Sequence, residues 1–365
     1  MKKLILSLLV ATALTACGDK ETDKTAQVDT RPVVKIGAIF PLSGDSAESG
    51  EYARDALIMA MEDAKAQNLK YNYKVLIEDD QFRSNLTAAI ANKFIHQDKI
   101  NAMLTYYAPA GFIFKPLAQQ NKFVHLSNTW EEKVGDGEYS FTQFAAMPEM
   151  IDVGVKYLVK HNIKKVAVIS EMRATSEEFA SNFIKTMEKE GIEAKMETFE
   201  RGNLDFRLLI RKFLNNGYEY FLVNSIKPEF DIIVKQLHEA GITNDNIMGT
   251  CGEMTPAKEL YDGIVFPGTT IGTEDFNNRY KARFGRFPNY ASVITYDLAL
   301  LMVKAYEENA VDGNLPETEN ILNYIRNLKS YDCNAIKCTM MRNGHINNPA
   351  NLRKCVDSKY ILVKE

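Results

Sequence analysis

From residue 33 onward, short β-rich apolar blocks alternate with stretches whose apolar positions recur at helical spacing. Val33 to Phe40 (VVKIGAIF) breaks at Pro41 into the small-residue loop Leu42-Ser43-Gly44. Ala53, Ala56, Leu57, Ala60, Met61 and Ala64 then follow at three- and four-residue steps. This pattern predicts a strand, a loop and an amphipathic helix. The alternation continues with strands predicted at 74–78, 102–106 and 123–126 and helices at 86–96 and 113–120. It starts again near Pro148, with helices at 149–160, 176–190, 206–215 and 229–240. Strands at 165–170, 193–199, 220–224 and 246–250 lie between them.

Strands alternating with helices of this length imply parallel sheets built from right-handed crossover units. The fold class is therefore α/β, and two such series imply two lobes of similar plan. In open sheets of this kind ligands bind outside the carboxyl ends of the strands. Composition agrees: 45% of residues are apolar and 25% charged, ordinary for a globular chain. About 330 residues after the N-terminal segment exceed what one core usually serves. Basic residues form no block or stripe, which argues against a nucleic-acid partner.

The first 32 residues have a different character. Met1-Lys2-Lys3 is a basic head, and Leu4 to Ala16 is apolar and small. That run is shorter than the roughly 20 residues of a spanning helix and suits a signal peptide. Leu14-Thr15-Ala16-Cys17 resembles a bacterial lipobox, which implies cleavage before Cys17 and its lipidation. An ordinary signal peptide followed by an incidental cysteine is the plainer alternative. Residues 18–32 hold a single valine as their only sizeable apolar residue and read as a flexible tether. Removing Lys2 and Lys3 takes the formal charge from −4 to −6.

Ile36-Gly37, Pro41-Leu42-Ser43-Gly44 and the helix after them resemble the start of the leucine/isoleucine/valine-binding family of type I periplasmic solute-binding proteins. Tyr280-Lys281-Ala282-Arg283-Phe284-Gly285 and Tyr296-Asp297-Leu298-Ala299 resemble that family's return to its first lobe. The resemblance runs over residues 34–363. It implies an N-terminal lobe of 33–144 plus 271–333 and a C-terminal lobe of 145–270 plus 334–365. Three crossovers, near 144, 270 and 333, would form the hinge. A closing hairpin of Ile336–Met341 with Lys359–Val363 would belong to the second lobe.

The implied function is capture of a small polar solute, an amino acid or a relative, in an inter-lobe cleft. The protein would be lipid-anchored at Cys17 on the outer side of a bacterial membrane, monomeric, and would deliver its solute to ABC permease subunits. A ligand sensor signalling to a receptor, and an enzyme or envelope structural protein that has kept the fold, remain as alternatives.

Carried over by position, the resemblance implies ligand-binding roles for Ser43, Tyr106, Tyr107, Ser127, Asn128 and Thr129 in the first lobe. In the second lobe it implies Arg173, Thr175, Asn224, Ser225, Cys251 and Glu253. Thr175 stands where the family usually has a tyrosine, and Cys251 or Glu253 stands near its ammonium-binding acid. Structural roles compete at each position. Ser43 and Ser49 fit a helix cap, Tyr106 and Tyr107 fit core or hinge packing, and Trp130 fits either ligand stacking or inter-lobe packing. Arg173 is either a solvated loop charge or a bidentate partner for an acidic group.

No nucleophile elbow, P-loop, dinucleotide fingerprint or zinc-protease motif is present. The five histidines fall on separate elements without metal-ligand spacing, so no catalytic role, metal or cofactor is assigned. Glu78-Asp79-Asp80 reads as a helix-capping or hinge cluster. Export permits disulfides. One bridge is expected among Cys333, Cys338 and Cys355, with Cys338–Cys355 placed ahead of Cys333–Cys338. Cys251 is then left free near the cleft.

Overall fold

The computed structural model describes residues 29–44, 46–250, 258–269, 271–334, 337–341, 343–357 and 359–363. The lipidation site Cys17 and the cleft candidates Cys251 and Glu253 lie outside them. Two sheets organise the body. The first has eight strands in the spatial order Ser330–Asp332, Lys337–Met340, His345–Asn347, Ser140–Phe144, Val124–Asn128, Ala102–Tyr106, Val33–Phe40 and Asn72–Asp79. The second has seven, in the order Lys359–Leu362, Ala350–Val356, Val265–Thr269, Ile247–Gly249, Tyr220–Asn224, Lys165–Glu171 and Glu193–Phe199.

The centre of each sheet is parallel, and antiparallel pairing is confined to the C-terminal strands. Central strands such as Ala102–Tyr106 and Tyr220–Asn224 are buried along their whole length. That is why they read as continuous apolar runs rather than as alternation. The chain is thus α/β with two doubly wound lobes. Among the described residues no helix is long and apolar enough to cross a membrane.

Helix Ala47–Lys65 follows the first loop, as its spacing predicts. Neither candidate serine caps it: Ser46 is the N-cap position and makes no side-chain cap bond. Ser43 instead donates from Oγ to Asp79 Oδ2 at 2.5 Å, tying the first loop to the second strand. Gly50 lets the helix start lie on the strand end, since a Cβ there would sit 1.9 Å from the Pro41 carbonyl oxygen. Helix Tyr290–Glu308 packs along it and is buried on nearly every face.

The chain passes between the sheets three times: after Phe144, after Thr269 and after Asn347. The third passage corrects the expectation of a crossover near 333. Lys337–Met340 pairs with Ser330–Asp332 and His345–Asn347 in the first sheet, and only Ala350–Val356 and Lys359–Leu362 join the second. The expected hairpin of Ile336–Met341 with Lys359–Val363 therefore does not form.

The disulfide follows the same division. Cys333 is bonded to Cys338, and Cys355 is a buried free thiol. The expected Cys338–Cys355 bridge is corrected, because the two residues belong to different sheets.

Asn348, 2% exposed, sits in the third passage and holds the other two. Its N–H donates to the Phe144 carbonyl at 2.8 Å, and its Nδ2 donates to Thr269 Oγ1 at 3.1 Å. Its Oδ1 accepts from Gln143 Nε2 at 3.1 Å. Beside it, the Thr273 N–H donates to the Asn334 carbonyl at 3.2 Å, which joins the disulfide-closed loop to the second passage. Asp297, also buried, accepts from Asn334 N at 2.8 Å and Nδ2 at 3.0 Å through Oδ1. Burial outweighs these donors and pushes its carboxyl up to about 7.

Two outcomes follow from this junction. Asn348→Ala removes the oxygen acceptor of Gln143 Nε2, leaving it only weak sulfur contacts, and the donor to Thr269 Oγ1, at a cost of about 1–3 kcal/mol for each buried group. Urea unfolding is expected to show a loss of at least about 2 kcal/mol, and a loss under about 0.5 kcal/mol would remove Asn348 from this role. For Asp297 the folded pKa is raised, so its contribution to stability is fully present below its ordinary value and is lost as pH rises through about 7. Relative to Asp297→Asn, which cannot ionise, the wild type should lose about 2–3 kcal/mol between about pH 5 and pH 8. Parallel pH profiles for the two proteins would contradict this.

Candidate functional site

Carboxyl ends of the strands of both lobes face one another across a cleft that encloses about 320 Å³. The loop after Ala102–Tyr106 supplies Tyr106, Tyr107, Ala108 and Pro109 to its wall. Helix Ala108–Asn121 starts there with no capping side chain, and its first-turn residues Ala108 and Pro109 border the cavity, which puts the positive end of the helix beside it. Tyr107 adopts φ 63°, a turn that sends the chain from strand into helix. Its hydroxyl donates to Asp80, and its pKa is raised, first by burial and then by that carboxylate. The Tyr106 and Tyr290 hydroxyls are 2.5 Å apart.

Aromatic rings line this side almost continuously. Phe82 lies against Tyr107 with centroids 4.2 Å apart, Tyr107 is edge-on to Tyr106 at 5.7 Å, and Tyr290 is edge-on to Phe144 at 5.2 Å. Asn128 donates from Nδ2 to the Ala291 carbonyl at 3.1 Å and to Thr295 Oγ1 at 3.0 Å. Its Oδ1 is buried and accepts from no described group, which leaves an acceptor at the cavity for a ligand N–H or O–H. Thr129 also lines the cavity, while its Oγ1 accepts from the Glu131 N–H at 3.2 Å.

The second lobe contributes Arg173, Ala174, Thr175, Ile226 and Lys227. Arg173 precedes helix Ala174–Lys189 and donates from Nε and Nη2 to Ser176 Oγ at 3.2 and 3.0 Å. Asn224 lies deeper. It donates from Nδ2 to Ser170 Oγ at 2.9 Å and to the Ser176 carbonyl at 2.7 Å, and it accepts from Thr250 Oγ1 at 2.5 Å.

Several candidates are thus brought together at the cavity: Tyr106, Tyr107, Asn128, Thr129, Arg173 and Thr175. Asn224 borders the adjoining recess. Three others lie outside the lining. Ser43 is held by Asp79. Ser127 is fully buried within the first lobe and accepts from Thr105 Oγ1 at 2.8 Å. Ser225 is buried and donates to the Ile226 carbonyl at 3.1 Å. Thr105 also contacts His125 at 2.8 Å, and full burial lowers the His125 pKa to about 3, so its ring is neutral.

Sequence reasoning missed Phe82, Phe112, Phe144, Tyr290 and Lys227. Phe82 had a usable signal, because it follows a strand end in the same topological position as Tyr107.

Among the described residues two ion pairs, one aromatic contact and the Arg201 guanidinium over the Phe82 ring, 5.9 Å from its centre, bridge the lobes. Lys227 Nζ lies 3.0 Å from Glu48 Oε2, and Lys133 Nζ lies 2.9 Å from Glu178 Oε2. Trp130 meets Phe179 edge-on with centroids 6.0 Å apart.

The sequence profile described as periplasmic binding protein matches residues 33–359. An amino acid binding protein of Pseudomonas aeruginosa is 24% identical over 66% of this chain, and the chain spans 65% of that relative's length. Among solved structures, a leucine-binding protein of Thermotoga maritima superposes with a TM-score of 0.81 at 19% identity, covering 91% of this chain and 98% of the other. A solute-binding protein of an ABC transporter from Rhodopseudomonas palustris, in complex with 3,4-dihydroxybenzoic acid, gives 0.78 at 19% identity, covering 91% and 96%. The two-lobed α/β fold and a profile match over nearly the whole described body lead to one conclusion: the chain belongs to the periplasmic binding protein family.

Proposed function

We propose that this protein captures a small carboxylate-bearing solute, an amino acid or a related compound, in the cleft between its lobes and passes it to an ABC-type permease. The observation that carries this reading is the cavity itself. It is lined from both lobes, and the uncapped start of helix Ala108–Asn121 borders it. That helix end suits a carboxylate, and the free Asn128 Oδ1 suits an ammonium or hydroxyl donor. Contacts from both lobes exist together only when the cleft is closed, so binding shifts the hinge equilibrium. The names of the relatives support an amino acid. A specific observation favours an aromatic acid as a second ligand class: Phe82, Tyr107, Tyr106, Tyr290 and Phe144 form a wall of rings along the cavity. No catalytic role is assigned, since the family is one of binding proteins.

We further propose that Cys17 is the lipidated N-terminus and that residues 18–32 tether the body to the membrane. One acyl chain gives only marginal binding, so a stable anchor needs more than one. Cys17→Ser should move the protein from the detergent-extracted membrane fraction to the soluble one. Unchanged fractionation would count against the anchor.

The solute itself is read by native mass spectrometry of protein purified without unfolding, followed by calorimetry of amino acids and aromatic acids on protein stripped of ligand. Tyr107→Ala should weaken the identified solute by at least about tenfold, a loss of about 1.4 kcal/mol. Trp130 fluorescence should change on binding. A solute bound equally well by wild type and Tyr107→Ala, with no change in Trp130 emission, would place the site elsewhere.

A further inference from the structure

Asp80 is fully buried and does not border the cavity, yet it holds two of the residues whose rings do. Its Oδ1 accepts from the Phe82 N–H at 3.1 Å. Its Oδ2 accepts from Thr87 Oγ1 at 2.6 Å and from the Tyr107 hydroxyl. One carboxylate thus joins the loop after strand Asn72–Asp79, helix Ser84–Lys93 and the loop after strand Ala102–Tyr106. Its neighbour Asp79 braces the first of these loops, accepting at Oδ1 from the Gln81 N–H at 2.9 Å and the Leu42 N–H at 2.7 Å.

These bonds act on backbone that is otherwise disfavoured. Gln81, Phe82 and Tyr107 adopt φ of 54°, 58° and 63°, the left-handed region that a residue with a Cβ avoids. Strain of this kind persists only where the surroundings over-determine it, and it gathers at ligand sites. Its result here is that the Phe82 and Tyr107 rings lie with centroids 4.2 Å apart at the cavity. The Tyr107 proton is committed to Asp80, so this residue meets a solute with its ring. The Arg201 guanidinium of the second lobe lies 5.9 Å from the Phe82 ring centre. A displaced Phe82 would therefore disturb the cavity wall and a contact between the lobes together.

We propose that Asp80 is a positioning residue of the solute site, fixing Phe82 and Tyr107 as one rigid aromatic face that selects solutes with a planar ring. Rings already held in place lose little freedom on binding. Aromatic pairs also reward a set offset or edge-on geometry, which a saturated group of similar size cannot supply. The inference rests on the reading of the cleft as a small-solute site.

Calorimetry with two pairs of probes tests it: benzoate against cyclohexanecarboxylate, and L-phenylalanine against L-leucine. In at least one pair the aromatic member should bind about tenfold or more tightly. Asp80→Ala should bring that ratio to about threefold or less, because the aromatic member loses its fixed face and its partner does not. A role confined to stability would weaken both members alike and leave the ratio unchanged. Adding Tyr107→Phe to Asp80→Ala should cost the aromatic member less than about a further twofold, since the two act through one network. Should Asp80→Ala fail to fold by circular dichroism, Tyr107→Phe alone reads the same ratio. Equal affinity within both pairs, preference for the saturated members, or no binding of any of the four overturns the inference. So does an unchanged ratio in the variant, or a larger further loss in the double variant. Any of these results with a co-purified small solute leaves the solute-binding reading standing. A protein that neither co-purifies with nor binds any small solute overturns both.

Discussion

Everything about the cleft depends on three strands of backbone being held side by side, and one amide does the holding. Asn348 reaches the Phe144 carbonyl, the Gln143 amide and the Thr269 hydroxyl from within the third passage. A buried asparagine is costly unless each of its groups finds a partner. Here the partners come from segments far apart in sequence, so the amide is satisfied only when all three passages are in register. The disulfide-closed loop and Asp297 lie against the same junction through Asn334. Displacing any one passage therefore breaks a bond to another.

Local chemistry at the strand ends then decides what the lobes present to each other. Tyr107 is the clearest case. Its positive φ ends one strand and starts the next helix, its ring joins Phe82 and Tyr106, and its hydroxyl is fixed by Asp80. One residue thus shapes the backbone, builds the aromatic wall and exposes the helix end. The second lobe faces this wall with cationic and hydroxyl groups, so an apolar side and a polar side oppose one another.

Much of this was legible in the sequence, and the misses have physical causes. Buried parallel strands such as 102–106 and 220–224 announce themselves as apolar runs. Ser140–Phe144 does not, although it is fully buried. Its Ser140, Thr142 and Gln143 are polar residues whose partners, His125, His345, Asn348 and Tyr331, come from elsewhere in the chain. The same long-range pairing placed Lys337–Met340 and His345–Asn347 in the first sheet and decided the cysteine pairing, which no local pattern encodes. At the site, Tyr106, Tyr107, Asn128, Thr129, Arg173 and Thr175 were within reach because they follow strand ends. Ser127, one residue before the lining, points the other way because side chains alternate along a strand. Tyr290 was hidden at the head of a long core helix.

The ion pairs that bridge the lobes bear on timing. Both Glu48–Lys227 and Lys133–Glu178 join side chains that remain in contact with solvent, and such pairs are screened by salt and release easily. A cleft closed by deep apolar packing would hold its cargo for long periods. Rims that meet largely through wetted charges, with Trp130 against Phe179 beside them, can part more readily, and under the proposed role the dwell time of the solute is then set more by its own contacts than by a latch in the protein. If the proposed delivery to a permease holds, such a rim favours rapid hand-over.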